Sequence, residues 1–250
     1  MIIFFLLGMH MASFYTVVGM RLPVEEDIVK KPSHCDNCGH QLNFLDMIPV
    51  LSYLVLRGRC RYCKTKISPM STYMEIVIGM LFAFAYYRFG LTKELLIGLG
   101  IISLFAIISV ADIKYLVIPD EVVLTLSIYF ATLYLIYERP IELIQRFGSG
   151  ILLFVIMYLI MYIGNKIFKK ETLGGGDIKL MFTIGFVLGP HMGVFSIFLA
   201  SLIALPISII IMLKYKNNLI PFGPFLVLSM MIIYFINLNI DKIISIIKLI

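Results

Sequence analysis

The sequence has no tryptophan, little charge, and no cysteine outside one short stretch. Charged residues fill 14% of its 250 positions, where a soluble domain carries about 25%. That shortage excludes a soluble globular enzyme and a disordered chain. Four cysteines gathered in one place do not make a secreted disulfide scaffold. Long alternating apolar and polar segments are missing, which argues against an outer-membrane barrel. Without tryptophan, an interfacial aromatic belt has to come from the 14 tyrosines. No basic segment precedes the first apolar run and no small-residue cleavage pattern follows it, so a removed signal peptide is not expected. There is no visible internal repeat, low-complexity linker or Gly-rich nucleotide fingerprint.

What the chain has is apolar sequence: 60% of its residues are hydrophobic, in continuous runs. A spanning helix takes roughly 20 such residues. The reading is an all-α polytopic membrane protein with about eight transmembrane helices: 1–20, then near 71–89, 93–112, 119–137, 143–168, 175–189, 191–214 and 222–239. The breaks fall at Gly90, Pro119, Arg139-Pro140, Gly174–Gly176, Gly189-Pro190 and Pro221, the residue types that end or kink helices. The split at Gly189-Pro190 leaves 175–189 short for a full span.

The net charge is +6. In a soluble protein this would suggest nucleic acid; in a membrane protein it sets topology. Residues 21–70 form the one long polar segment and hold eight basic residues, among them Arg21, Arg57, Arg59, Lys64 and Lys66. With this loop in the cytoplasm and the spans alternating, fifteen basic residues lie inside and six outside. Lys216 counts inside, Lys242 and Lys248 outside, and both termini face outward. No nucleic-acid partner is expected; the lipid bilayer is.

Within the loop stand Cys35-Asp36-Asn37-Cys38 and, 21 residues later, Cys60-Arg61-Tyr62-Cys63. Two CxxC pairs at this spacing read as a metal site: each is a tight knuckle offering two thiolates, and together they make a closed tetrahedral zinc centre. Four protein ligands leave no open position, so the zinc is structural. A loop of this size needs such a staple. Gly39 suits the left-handed turn that ends a knuckle. His34 and His40 beside it read as exposed polar residues.

Three acids lie in apolar surroundings, where a charge is costly and marks function: Glu75, Asp112 and Asp177. The topology puts Asp112 at the inner end of an inward-running helix. Asp177, after three glycines, stands at the inner start of an outward-running one. Two carboxyls 65 positions apart therefore share one membrane depth, the arrangement an aspartyl dyad needs. Glu75 is expected to meet a polar or cationic neighbour. Asp120 and Glu121 read as acids capping a helix start after Pro119. Lys114 and Lys179 read as snorkelling to the interface. His10 and His191 receive no role.

These motifs resemble those of type IV prepilin leader peptidases, polytopic aspartyl proteases with a GxGD signature. The likeness is carried by Ser13–Pro23, by Asp46–Cys60, by Asp112 through Pro119-Asp120, by Gly174-Gly175-Gly176-Asp177-Ile178-Lys179 and by Pro221-Phe222-Gly223-Pro224-Phe225. The resemblance implies a catalytic pair Asp112 and Asp177, zinc ligands Cys35, Cys38, Cys60 and Cys63, and three segments: 1–20 the first transmembrane helix, 21–70 the cytoplasmic zinc-binding loop, 71–250 the transmembrane peptidase. It implies cleavage of a basic leader, after a glycine, from prepilins or pilin-like precursors at the cytoplasmic face of the bacterial inner membrane. By resemblance alone it also implies N-methylation of the new amine with S-adenosylmethionine. An alternative reading of the acids is a relay in an ion-coupled transporter, and a further one is a membrane scaffold with a docking loop. A transporter more often shows repeated halves and midplane sites.

Overall fold

A computed structural model of the chain describes residues 1–170, 172–215 and 220–238. Lys216, Lys242 and Lys248 of the charge count, and the last residue of the 222–239 run, lie outside these residues. Contacts divide the chain into two compact units, Met1–Leu91 and Thr92–Ile250.

The first unit holds α1 (Ile2–Arg21), a single-turn α2 (Leu51–Val55) and α3 (Met70–Phe89). Helices α1 and α3 pack where two glycines meet. A Cβ on Gly8 would lie 2.9 Å from the Cα of Gly79, and one on Gly79 would lie 3.1 Å from the carbonyl oxygen of Phe5. Only hydrogen at both positions lets the backbones approach this closely, the usual device for helix pairs in lipid. Helix α3 stops at Gly90, whose φ of +62° favours glycine.

The second unit holds α4 (Lys93–Tyr115), α5 (Asp120–Tyr137), α6 (Pro140–Phe168), α7 (Gly175–Leu188), α8 (Pro190–Tyr215) and α9 (Gly223–Ile236). Every boundary falls within a few residues of a glycine or proline read from the sequence. Helix α4 is the core, with Ile101, Leu104, Ile108 and Val110 fully enclosed. It ends at Leu116 in the left-handed conformation, φ 56°.

Among the described residues, six helices are long and apolar enough to cross a membrane: α1 with the turn after it, α3, α4, α5, α6 and α8. The expected count of about eight spans is therefore not confirmed. Eight extended helices stand where the sequence placed them, but α7 and α9 have 14 residues each. That is about 21 Å of rise, against a hydrocarbon core of about 30 Å. Both are lined by protein rather than lipid. Helix α7 buries Ile178, Leu180, Met181, Thr183 and Phe186 among others, and α9 buries Leu226, Val227, Ser229 and Met230. A helix packed against protein along its middle need not match the full hydrocarbon thickness.

Candidate functional site

Asp112 lies in the last turn of α4, where unpaired carbonyls make a poor setting for a carboxylate. The compensation comes from another helix. Gly223 opens α9, and its N–H, one of the donors a helix start leaves free, donates to Asp112 Oδ2 at 3.0 Å. Asp177 lies in the first turn of α7, which favours negative charge. Its own N–H donates to the carbonyl of Gly174 at 3.2 Å. Both aspartates are buried, 6% and 8% exposed. Asp177 Oδ1 is fully enclosed and has no hydrogen-bond partner. The two carboxyls are near enough to act on each other electrostatically.

Ile118 ties the two halves of this site together. A Cβ on Gly176, beside Asp177, would meet the Ile118 Cβ at 2.7 Å. One on Gly223 would meet Ile118 Cδ1 at 2.9 Å and Asp112 Oδ2 at 3.0 Å. The three glycines before Asp177 thus do different things. Gly176 makes room for Ile118, a Cβ on Gly174 would lie 3.4 Å from Asp177 Oδ2, and only Gly175 faces open space. Among the three, Gly175 is the one that leaves a substrate backbone room to approach.

In the first unit the four cysteine sulfurs lie within 4.8 Å of one another, a group that could hold a metal ion. Cys35 Sγ and Cys63 Sγ are 3.8 Å apart. A tetrahedron with metal–sulfur bonds of about 2.3 Å has an edge of about 3.8 Å, so this spacing fits a four-thiolate ion. The two knuckles are built alike. Cys35 N–H donates to the His40 carbonyl and Gly39 N–H to the Cys35 carbonyl; Cys60 N–H donates to the Thr65 carbonyl and Lys64 N–H to the Cys60 carbonyl. Gly39 and Lys64 both take the left-handed turn, φ +67° and +59°. Each knuckle closes on a matching antiparallel bridge, His34 to Gln41 and Arg59 to Lys66. A short internal duplication is therefore present in the structure, although no repeat is visible in the sequence.

The arms between the knuckles are cross-linked. Tyr62 accepts from Asn43 Nδ2 at 2.8 Å and packs on His40, and Arg61 pairs with Asp46 at 2.6 Å. Cys63 gives up its proton more readily than Cys38. The Thr65 hydroxyl and N–H, with Asn37, hold its thiol down at about 5. At Cys38 the His40 N–H acts downward, but desolvation and hydrogen bonds to Cys63, Cys35 and Cys60 outweigh it and push that thiol up to about 11. Of these two thiols, Cys63 takes the negative charge first.

Family models match both units. One described as Bacterial Peptidase A24 N-terminal domain covers residues 6–89, and one described as Type IV leader peptidase family covers residues 99–209. The prepilin leader peptidase/N-methyltransferase of Bacillus subtilis (strain 168) is 35% identical over 201 residues, 80% of this chain and 79% of that protein. The chain belongs to the type IV leader peptidase family. Proteins of the same description from Myxococcus xanthus and Vibrio cholerae are 34% and 29% identical. They match over 72% and 94% of this chain, and 54% and 96% of their own lengths. No solved structure matches the chain significantly. As a member of this family with six helices, among the described residues, long and apolar enough to cross a membrane, the chain is a multi-pass membrane protein. The transporter alternative gains no support.

The remaining sequence expectations fare unevenly. Asp120 does not cap α5. It is the first helical residue, the cap position is Pro119, and its carboxylate pairs with Lys179 Nζ at 2.6 Å. Lys179 is thus engaged rather than simply snorkelling, while Lys114 lies over the Tyr115 ring at 5.0 Å. Glu75 meets polar neighbours as expected: it accepts from the Val50 N–H at 2.7 Å, with Ser13 and His10 of α1 nearby. Arg21, read only for topology, is buried and donates to the carbonyls of Asp27, Lys31 and Pro32. It folds the start of the loop onto the end of α1. Gly223 and Ile118 escaped the sequence reading as site residues. Both lie inside stretches that carry the family resemblance, Ile118 between Asp112 and Asp120 and Gly223 between Pro221 and Phe225, but neither was given a role at the site.

Proposed function

We propose that this chain is a membrane aspartyl endopeptidase that removes the leader peptide of type IV prepilins or pilin-like precursors at the cytoplasmic face of the inner membrane, and that it then N-methylates the new terminus. The observation that carries the reading is the convergence of Asp112 and Asp177, two enclosed acids from different helices, around Ile118 and Gly223 in an apolar bundle, with Asp177 Oδ1 left without a partner. The relatives' printed description supplies both activities.

Two neighbouring carboxyls in a site poor in water share one proton. The ionised carboxylate takes a proton from water as the water oxygen bonds to the scissile carbonyl carbon. The protonated one hydrogen-bonds the carbonyl oxygen as charge develops on it. The tetrahedral species collapses when the leaving nitrogen gains a proton and the C–N bond breaks, returning the pair to one proton between two groups. The Gly223 N–H fixes one oxygen of Asp112, so that carboxyl presents its other oxygen to the reacting atoms. The substrate's apolar helix lies among the spans, which holds its leader junction at the level of the pair and supplies the advantage of positioning.

Cys35, Cys38, Cys60 and Cys63 would hold a structural zinc, whose contribution is to staple the loop. S-adenosylmethionine is the donor that the methyl-transfer activity implies, and no residues are assigned to it. The methyl-transfer half of the reading rests on the relatives' description.

The test is incubation with a prepilin in detergent and mass spectrometry of the product's N-terminus. Asp112→Asn and Asp177→Asn should each abolish cleavage while the protein stays inserted and folded. Asp177→Asn should still methylate a pre-cleaved pilin. Cleavage at the parent rate by either variant would overturn the dyad, and no methyl transfer by the intact enzyme would leave a peptidase alone.

A further inference from the structure

The loop carries an apolar face that the cysteine cluster does not use. In α2, Leu51, Leu54 and Val55 fall on one side of the turn, and Phe44 and Leu45 precede them; each is at least 60% exposed. The opposite side of the turn faces the loop, where Tyr53 covers Gly58. Five large apolar side chains standing free on a small polar loop need a reason, since such patches mark contact surfaces.

The depth of this segment is fixed by a hydrogen bond. Val50, immediately before α2, donates its N–H to Glu75 Oε2 at 2.7 Å. Glu75 is buried on α3, five residues after Met70, about 7.5 Å along the axis of a membrane-crossing helix. Helical side chains lean toward the helix start, here the loop side. Even with that lean, the Val50 amide is held at the level of Met70 rather than in the water beyond it. The backbone bends to make the contact: Val50 has φ +61°, a conformation that β-branched residues avoid. Pro49 beside it is buried. Arg57 and Arg59 follow α2 directly in the chain, Lys66 is bridged to Arg59, and all three are exposed. An apolar segment with cations beside it suits the boundary between anionic headgroups and acyl chains.

We infer that residues 44–55 form a membrane-surface anchor: Glu75 draws Val50 down to the bilayer, and Phe44, Leu45, Leu51, Leu54 and Val55 insert into the headgroup–acyl boundary of an anionic lipid leaflet. The loop is then seated on the bilayer by its own side chains as well as tethered by α1 and α3. This inference concerns the first unit alone and stands whether or not the peptidase reading does.

The absence of tryptophan supplies the test. Full-length Leu54→Trp and Val55→Trp, each a sole-tryptophan protein at an exposed position, are reconstituted in phosphatidylcholine–phosphatidylglycerol vesicles with or without acyl chains brominated near the headgroup. Val29→Trp, at a 92% exposed position of the same loop outside the face, is the reference. Circular dichroism and metal content matching the parent establish the fold of each. The expected result is blue-shifted emission at 54 and 55, quenched roughly twofold by the brominated lipid as for interfacial side chains, with Val29→Trp unquenched. Adding Glu75→Ala should lower the quenching at 54. Water-like, unquenched emission at 54 and 55 would overturn the inference. So would blue-shifted emission that brominated lipid leaves untouched, which would mean that protein covers the face. Quenching that Glu75→Ala leaves unchanged would overturn the role given to Glu75.

Discussion

The N–H of Gly223 donates to Asp112 Oδ2 at 3.0 Å, across 111 positions of sequence. The contact lets the start of one helix compensate an acid at the end of another, and it admits no side chain. In Gly223→Ala a Cβ would stand 3.0 Å from that oxygen and 2.9 Å from Ile118 Cδ1. Cleavage should fall between about tenfold and a hundredfold, the scale of a displacement near 1 Å at a reacting centre. The measurement is prepilin turnover at matched protein levels, and turnover within a factor of two of the parent would show that the contact is dispensable.

Asp120 and Lys179 form an exposed pair, with side chains 62% and 51% accessible. Such pairs contribute between zero and about 1 kcal/mol. Asp120→Asn should keep most of the cleavage activity and nearly the parent melting temperature. An inactive Asp120→Asn alongside an active Asp112→Asn would reassign the first aspartate.

Acid should strip the metal from the cysteine site, because protons compete with it for thiolate. Thr65 holds the Cys63 thiol down at about 5, so it keeps that ligand ionised to lower pH. In Thr65→Ala the thiol binds its proton more readily and the metal should leave at a higher pH. Metal content after dialysis across pH 4 to 8 reads the midpoint directly. Cys38→Ser and Cys60→Ser should lose the metal at neutral pH and render the loop sensitive to protease.

The mirrored left-handed turns at Gly39 and Lys64 predict opposite responses. Lys64→Gly relieves a side chain from φ +59°, and Gly39→Ala forces one into φ +67°; each change should shift loop stability by about 1 kcal/mol, in opposite directions. Limited proteolysis rates of the loop should rise for Gly39→Ala and fall for Lys64→Gly.

Arg146 holds the far end of the second unit. Its guanidinium makes a two-point pair with Glu138 at 2.7 and 2.9 Å, donates to the Val187 carbonyl at 2.9 Å and lies over Tyr134 at 3.8 Å. Arg146→Met leaves Glu138 and the end of α7 unpaired. The cost should be about 2–4 kcal/mol, less than for a fully buried pair because the arginine side chain is 27% exposed. Thermal unfolding in detergent checks it, and Arg146→Lys should recover only part of the loss because it lacks the planar fork.

Where chemistry has a sequence signature, the chain was legible. Glycine and proline marked the helix ends, the CxxC spacing marked the four sulfurs that the fold brings together, and two acids in apolar runs stood out before the structure showed both to be buried. What stayed hidden were partners that carry no signature. Glu75 stood out as an acid, but its acceptor role toward the Val50 N–H did not, because every residue except proline has such a donor. Lys179 and Asp120 are 59 positions apart, and nothing in either segment announces the other. The likeness of the knuckles was masked because Lys64 stands where its counterpart has Gly39. The shortness of α7 was visible; its enclosure, which makes a short helix tenable, depends on neighbours that periodicity cannot name.

That enclosure bears on how the chain enters the bilayer. A 14-residue segment with Asp177 and Lys179 in its first turns is too short and too polar at one end to partition into lipid by itself. Helix α7 joins α8 through a single glycine, Gly189 at φ +79°, followed at once by Pro190. It lies against α6 so closely that a Cβ on Gly185 would stand 2.7 Å from the Ser149 carbonyl. During synthesis, therefore, the helix bearing Asp177 has to be carried in by its neighbours. Chains halted after Leu188 should leave it outside the membrane, and chains extended through α8 should bring it in as one arm of a hairpin.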